Sequence, residues 1–161
     1  MGRLSGQGLA DSLKIRVLLA ERLGLFREAL TAALDAEEDL QVVSHAADAS
    51  EAFRQIETGN LDVAVVESSM LSVDPMRFAF TLNDGRGACR LVVLAEPGDE
   101  KALSLAVDLR ARGLVTKDVP LPELVSAVHS VARGETVVPQ HLLGALLRRL
   151  EDRQRRDSAG R

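Results

Sequence analysis

The sequence predicts an α/β fold, a doubly wound parallel sheet with helices on both faces and a further helix at the carboxyl end. Three observations carry this. Five short apolar runs alternate with five stretches whose apolar residues recur at helical spacing, and strands that pair in parallel need such crossover connections. The run at 62–67, D-V-A-V-V-E, is β-branched and short, the pattern of a strand buried on both faces. It ends on one acid, Glu67, followed by Ser68 and Ser69, at the edge where open α/β sheets keep their sites.

Taken in order, residues 15–20 (I-R-V-L-L-A) form the first strand. Residues 24–35 form a helix, with Leu25, Phe26, Ala29, Leu30, Ala33 and Leu34 on one stripe. Residues 40–44 give the second strand. Asp48 or Ser50 caps a helix reaching Glu57, and Thr58-Gly59-Asn60 stops it. After the strand at 62–67, Ser68, Ser69, Ser72 and Pro75 read as a loop, and a shorter helix runs over 75–82. N-D-G-R-G at 83–87 is turn chemistry. Residues 90–95 are the fourth strand, and Gly98 and Asp99 precede a helix reaching about residue 112. Residues 113–116 are the fifth strand. A helix at 120–133 opens on prolines and closes at Gly134. Residues 139–156 form a last helix with Leu142, Leu143, Leu146, Leu147 and Leu150 on one stripe and a basic end.

Composition narrows the function. A chain of 161 residues, 46% hydrophobic and 27% charged, is one domain with a real core. Tyr and Trp are absent, which removes the usual stacking platforms for bases and sugars. The net charge of −4 gives no global attraction to nucleic acid or acidic membranes. Cys89 is alone, so neither an intramolecular disulfide nor a cysteine metal cluster is expected, and a buried inert thiol suits a reducing cytoplasm. Residues 1–14 lack an apolar signal core and read as a disordered leader, and no apolar stretch is long enough to span a membrane. A cytoplasmic protein without membrane attachment is expected. No glycine-rich phosphate loop occurs, and His45, His129 and His141 have no metal-ligand spacing. Catalysis, metal and cofactor are not expected.

Several strings resemble the receiver domain of bacterial NarL/FixJ (LuxR-type) response regulators in two-component systems: L-F-R-E-A-L at 25–30, A-A-D-A-S-E-A at 46–52, G-L-V-T-K-D at 113–118, and L-P-E-L-V-S-A-V-H-S-V-A-R-G-E at 121–135. The resemblance implies a CheY-like (flavodoxin-like) (βα)5 sheet of strand order 2-1-3-4-5. It divides the chain into a leader (1–14), a receiver-like domain (15–135), and a linker helix with a basic tail (136–161). It also implies what phosphotransfer requires: an aspartate ending the third strand, two acids after the first that hold magnesium, a Ser or Thr ending the fourth, an aromatic on the fifth and a lysine after it. Here the acceptor position is Glu67, one methylene longer than aspartate. The acid pair is Glu21 and Arg22, the hydroxyl position is Ala95, and the aromatic position is Leu114. Only Lys117 is retained. The receiver is therefore atypical, with a degenerate phosphorylation site.

Glu67 is expected to pair with Lys117 and Arg22, since arginine and lysine supply the charge a metal would otherwise bring; the bland alternative is a decayed site facing water. Glu21 has two options, the pocket or solvent. Glu96 reads as a solvated loop acid, and Ser68 and Ser69 as loop polarity, because no base stands by to activate them. Two functions compete. The first is a phosphorylation-independent dimerisation and signal-input module of a transcriptional regulator, with a protein or small-molecule effector. The second is a phosphorylation-competent receiver with non-standard residues. A stand-alone pseudo-receiver binding a ligand in a pocket vacated at Ala95 and Leu114 is a third. The partner expected is a second copy, and DNA is expected only through a helix-turn-helix domain outside this chain.

Overall fold

The computed structural model describes residues 13–83 and 89–159. Five parallel strands, β1 (Ile15–Ala20), β2 (Leu40–Ala46), β3 (Val63–Glu67), β4 (Arg90–Ala95) and β5 (Gly113–Thr116), pair in the order β2-β1-β3-β4-β5. The helices are α1 (Gly24–Asp35), α2 (Ala49–Thr58), α3 (Ser68–Leu71), α4 (Pro75–Asn83), α5 (Glu100–Asp108), α6 (Leu121–Ala132) and α7 (Leu143–Ala159), with a 3-10 turn at Gln140–Leu142. The fold is the CheY-like one, with an added carboxyl-terminal helix.

Alternation along each strand divides the core, because successive side chains leave opposite faces of the sheet. Val17, Leu19, Val63, Val65, Val92 and Leu94 pack with Leu30 and Leu34 of α1 and Val125 and Val128 of α6. Leu18, Ala64, Val66, Val93 and Leu114 face the other way, toward Phe53 of α2, Phe78 of α4 and Leu103 of α5. The rings of Phe53 and Phe78 lie 4.1 Å apart between centroids, and the Arg77 guanidinium covers Phe53 at 4.0 Å. Gly113 is needed for close approach: a Cβ there would meet Val131 Cγ2 at 3.1 Å and Val92 Cγ2 at 3.2 Å.

Four local expectations change. Residues 68–71, read as loop, form the turn α3, since Ser72 N–H donates to Ser68 O at 3.0 Å and Met70 and Leu71 enter the core. One helical turn is too short to give a periodic signal. The second strand runs on to Ala46; of the two cap candidates it is Asp48, as expected, that caps α2, accepting from Glu51 N–H at 2.9 Å. The final helix begins with a 3-10 turn after Pro139 and continues to Ala159. The fourth long helix stops at Asp108, not near residue 112. The expected turn at 83–87 lies outside the described residues except for Asn83, which ends α4, and so does most of the expected leader.

The stop at Asp108 has a particular cause. Ala111 N–H donates to Ala106 O at 2.8 Å and Arg110 N–H to Val107 O at 3.2 Å, the two hydrogen bonds of a Schellman cap. Arg110 occupies its left-handed position at φ 56°. The end of α6 makes the same pair of bonds, Glu135 N–H to Ser130 O and Gly134 N–H to Val131 O, both at 2.9 Å, with glycine at φ 90°. Glycine takes that conformation freely, whereas an L side chain is strained in it.

The last helix lies along α5. Leu142, Ala145 and Leu146 pack on the core, Arg149 Nη1 donates to Ser104 Oγ and Arg153 Nη1 to Val107 O, both at 2.9 Å. The leucine stripe is thereby split, leaving Leu143 and Leu147 exposed on the outer side, while Leu150, also exposed, lines the hollow between α5 and α7. The cap at Arg110 gives the first prediction: Arg110→Gly raises unfolding stability by about 0.5–1 kcal/mol. Urea melts with an unchanged slope would report it as a higher midpoint, and a lower midpoint would contradict the strain at this residue.

Candidate functional site

Parallel pairing brings the carboxyl ends of β1, β3, β4 and β5 to one rim, and each strand delivers one charged residue there. Glu21 follows β1, Glu67 ends β3, Glu96 follows β4 and Lys117 follows β5. The backbone ladder extends one step past the strands: Glu21 N–H donates to Ala46 O at 3.0 Å and Lys117 N–H to Ala95 O at 2.9 Å. These bonds fix where both side chains start.

Lys117 Nζ is the hub. It lies 2.7 Å from Glu67 Oε2, 3.1 and 3.0 Å from the two oxygens of Glu21, and 3.0 Å from Glu96 Oε1. Glu21 is wholly buried, and Glu67 and Lys117 nearly so. Glu21 Oε1 also accepts from Leu23 N–H at 3.0 Å, and the Glu21 carbonyl accepts from Arg27 Nη1 at 2.6 Å. Glu67 Oε1 accepts from Ser69 Oγ. Arg22 stands outside the hub, 3.9 Å from Glu67 Oε1, with its side chain 68% exposed.

Protonation follows from burial and neighbours. Burial pushes the Glu21 carboxyl up to about 7, and the adjacent Glu67 adds to the shift. Glu67 moves the other way, to about 2: burial opposes ionisation there, but hydrogen bonds involving Glu21, Lys117 and Ser69 outweigh it. Burial opposes the charge on Lys117 as well, and its carboxylate partners, Glu67 first, raise it above the ordinary lysine range. At neutral pH the hub holds an ionised Glu67–Lys117 pair, with Glu21 shifted toward its neutral form by burial and by the neighbouring Glu67.

These residues do not fit a divalent metal. Such an ion needs several carboxylate and water oxygens around one point, and that point is filled by the Lys117 ammonium. Glu67 has both oxygens engaged, and the next position is the guanidinium of Arg22. No group of three or more His, Cys, Asp or Glu side chains suited to a metal occurs among the described residues.

The remaining sequence candidates fall in different places. Ala95 is buried at the end of β4 and offers no donor. Leu114 is buried near the start of β5, away from the rim. The hollow beside Glu67, about 350 Å³, is walled by Arg22, Ser69, Glu96, Asp99 and Lys101, and neither Ala95 nor Leu114 lines it. The pocket expected from those two substitutions is therefore not this hollow, which charged and hydroxyl side chains share with Ala102 and Leu105. Glu96, read as a free loop acid, reaches Lys117 while remaining 60% exposed. Ser69 and Ser68, read as loop polarity, bond to Glu67 and, at 2.9 Å, to Asp99 Oδ2. Glu96 carried one usable signal, its place directly after a strand as with Glu21 and Lys117. Burial pushes the Cys89 thiol up to about 12, with Asp62 adding to it, which leaves little thiolate. His129 pairs with Asp39 at 2.8 Å and His45 with Thr31 at 3.1 Å, both away from the hub.

The model of the response regulator receiver domain matches residues 17–129. The chain is 36% identical over 145 residues to the response regulator RamR of Streptomyces coelicolor, covering 89% of this chain and 69% of that protein. It is 26% identical over 134 residues to the oxygen regulatory protein NreC of Staphylococcus haemolyticus, covering 83% of this chain and 62% of that one. The chain thus spans about two thirds of the length of these relatives. Among solved structures, the signal receiver domain of NarL from Mycobacterium tuberculosis superposes with a TM-score of 0.68 at 27% identity, covering 76% of this chain and 98% of that one.

Two predictions follow from the hub. Glu21 gains its proton affinity in the folded state, so its contribution to stability is present below pH 4.5 and declines as pH rises toward 7. Glu21→Gln removes that decline: relative to wild type, the variant gains about 2–3 kcal/mol between pH 5 and pH 8. Parallel urea titrations would reveal it, and equal pH dependence in both proteins would refute it. Lys117→Ala strands two buried carboxylates and costs about 3–5 kcal/mol, and its double-mutant cycle with Glu67→Ala returns a coupling of about 1–3 kcal/mol. Coupling near zero would mean that the pair is not a unit.

Proposed function

The chain belongs to the response regulator receiver domain family, and from that premise we propose that it works without phosphorylation, as the dimerisation and signal-input module of a transcriptional regulator. The observation that carries the reading is the position of Lys117 Nζ, within 3.1 Å of both Glu67 and the fully buried Glu21.

Phosphoryl transfer is catalysed by positioning and by neutralising charge on the transferring group. Each of those roles is compromised here. The Glu67 oxygens already hold Lys117 and Ser69, the metal position carries cations of the protein itself, and Ala95 has no hydroxyl for a phosphoryl oxygen. A phosphoryl group at Glu67 would also have to displace an ion pair whose partners are both buried. Glu67 is accordingly a carboxylate that fixes one state of the rim. In a two-state protein a ligand shifts the balance only through different affinities for the two states, and with the rim locked, the input must act elsewhere.

Dimerisation is supported by the outer face of α7, where Leu143 and Leu147 stand exposed at 44% and 61%. Apolar stripes of that kind mark association surfaces. Regulatory contact with DNA belongs, in this reading, to a helix-turn-helix domain of the whole protein, as in regulators that carry a receiver ahead of one. The charges at the end of α7, five arginines among three acids, are too mixed for a DNA-reading element.

One experiment tests both halves. Incubation with acetyl phosphate and magnesium leaves the intact mass unchanged, and light scattering returns a dimer with or without the phosphodonor. A gain of one phosphoryl group that is lost in Glu67→Gln would overturn the first half. A monomer at every concentration would overturn the second.

A further inference from the structure

At the amino ends of β4 and β5, remote from the Lys117 rim, a cavity of about 900 Å³ opens between α5 and α7. That is at the upper end of the range for small-molecule sites. Its floor is apolar: Leu91, Leu103, Ala106 and Leu114 come from the domain, and Leu146 comes from α7. Arginine dominates its charged lining, with Arg90, Arg110, Arg112 and Arg153 against a single carboxylate, Asp157.

Two of those arginines are committed elsewhere in part. Arg90 Nη1 donates to Ala132 O at 2.6 Å and to Val131 O at 3.3 Å, and Arg153 Nη1 donates to Val107 O at 2.9 Å. Arg110 and Arg112 are different. Among the described residues neither guanidinium has a hydrogen-bond or ion-pair partner, and both residues line the cavity at its exposed side. Arg110 is moreover held at the left-handed cap position that Gly134 fills in the equivalent cap of α6. A strained conformation kept at a ligand-sized cavity points to a use for its side chain.

We propose that this cavity binds a small amphiphilic anion, a carboxylate with a compact apolar body, whose head group is taken by Arg110 and Arg112 and whose body lies on the leucine floor between α5 and α7. An apolar body gains by leaving water for that floor, and a carboxylate meets guanidinium groups with charge-assisted bonds. The occupant touches both α5 and α7, so it holds the last helix against the domain. The site is separate from the Lys117 rim, and its occupation does not depend on whether that rim accepts phosphate.

Titration calorimetry with sodium decanoate tests it, with decyltrimethylammonium as a probe of the same chain length and opposite charge. Decanoate gives saturable one-site binding, and the cationic probe binds at least about tenfold more weakly. Arg110→Gly, a variant expected to fold at least as well as the parent, weakens decanoate about fivefold, and Arg110→Gly/Arg112→Ala weakens it more than about tenfold. Amide shifts in nitrogen-15 spectra cluster on residues 103–114 and 146–153. Four results would overturn the proposal: no saturation by about 1 mM, a range that already includes weak ligands; equal binding of the cationic probe; undiminished binding by the double variant; or shifts centred on the Glu67 rim or on Leu143 and Leu147.

Discussion

One ammonium group among buried carboxylates sets the character of this molecule. Lys117 Nζ is within 3.1 Å of Glu21 and of Glu67, and both acids are shielded from water. Taking such charges out of water is costly unless each finds its counterpart: Glu67 has its counterpart in Lys117, and Glu21, beside that pair, is pushed toward its neutral form. The strand order β2-β1-β3-β4-β5 makes the arrangement possible, because it sets the end of β3 beside that of β1 and brings β5 within a lysine's reach. The fully buried strand β3 then holds Glu67 in place from both faces of the sheet.

The central strand and its terminal acid were readable from D-V-A-V-V-E alone, because a β-branched run bounded by turn residues leaves few alternatives. Lys117 and the sheet order came through the likeness to a known family, not through periodicity. What could not be read were facts that depend on a neighbour from a distant part of the chain. Glu21 and Arg22 are adjacent in sequence, yet one is sealed in the hub and the other faces solvent. No local pattern distinguishes them; alternation at the end of β1 does so only when the sheet exists. Glu96 and Ser69 were set aside as loop polarity because their partners lie on other strands or depend on the turn α3. Leu114 illustrates the opposite error, since a residue close to Lys117 in sequence belongs to the other end of a strand.

The helices show the same division. Hydrophobic stripes placed α1, α2 and α6 closely, because those helices bury one face against a sheet. The end of α5 was misjudged because nothing in L-R-A-R-G announces a left-handed arginine three residues before the glycine that looks like the stop. The leucines of α7 pose a subtler case. Their spacing shows an apolar helix without revealing that the stripe is shared, with Leu142 and Leu146 turned toward α5 and Leu143 and Leu147 turned out.

Two parts of the molecule differ in their capacity to change. At the Glu67 rim the Glu67–Lys117 pair is buried and Glu67 has both oxygens engaged, so a change of state there must first break a buried ion pair; the one buried rim oxygen without a hydrogen bond is Glu21 Oε2, among the described residues. Around α7 the contacts are fewer: among the described residues the guanidinium groups of Arg110 and Arg112 make no hydrogen bond or ion pair, and the helix is fastened chiefly by Leu142, Ala145 and Leu146 and two arginine hydrogen bonds. Local opening follows low packing density and few buried contacts. A signal of modest free energy can act on such an element where it could not act on the hub. In the proposed phosphorylation-independent reading, the part of the fold free to respond is the α5–α7 face, with Lys117 holding the rest of the sheet edge constant.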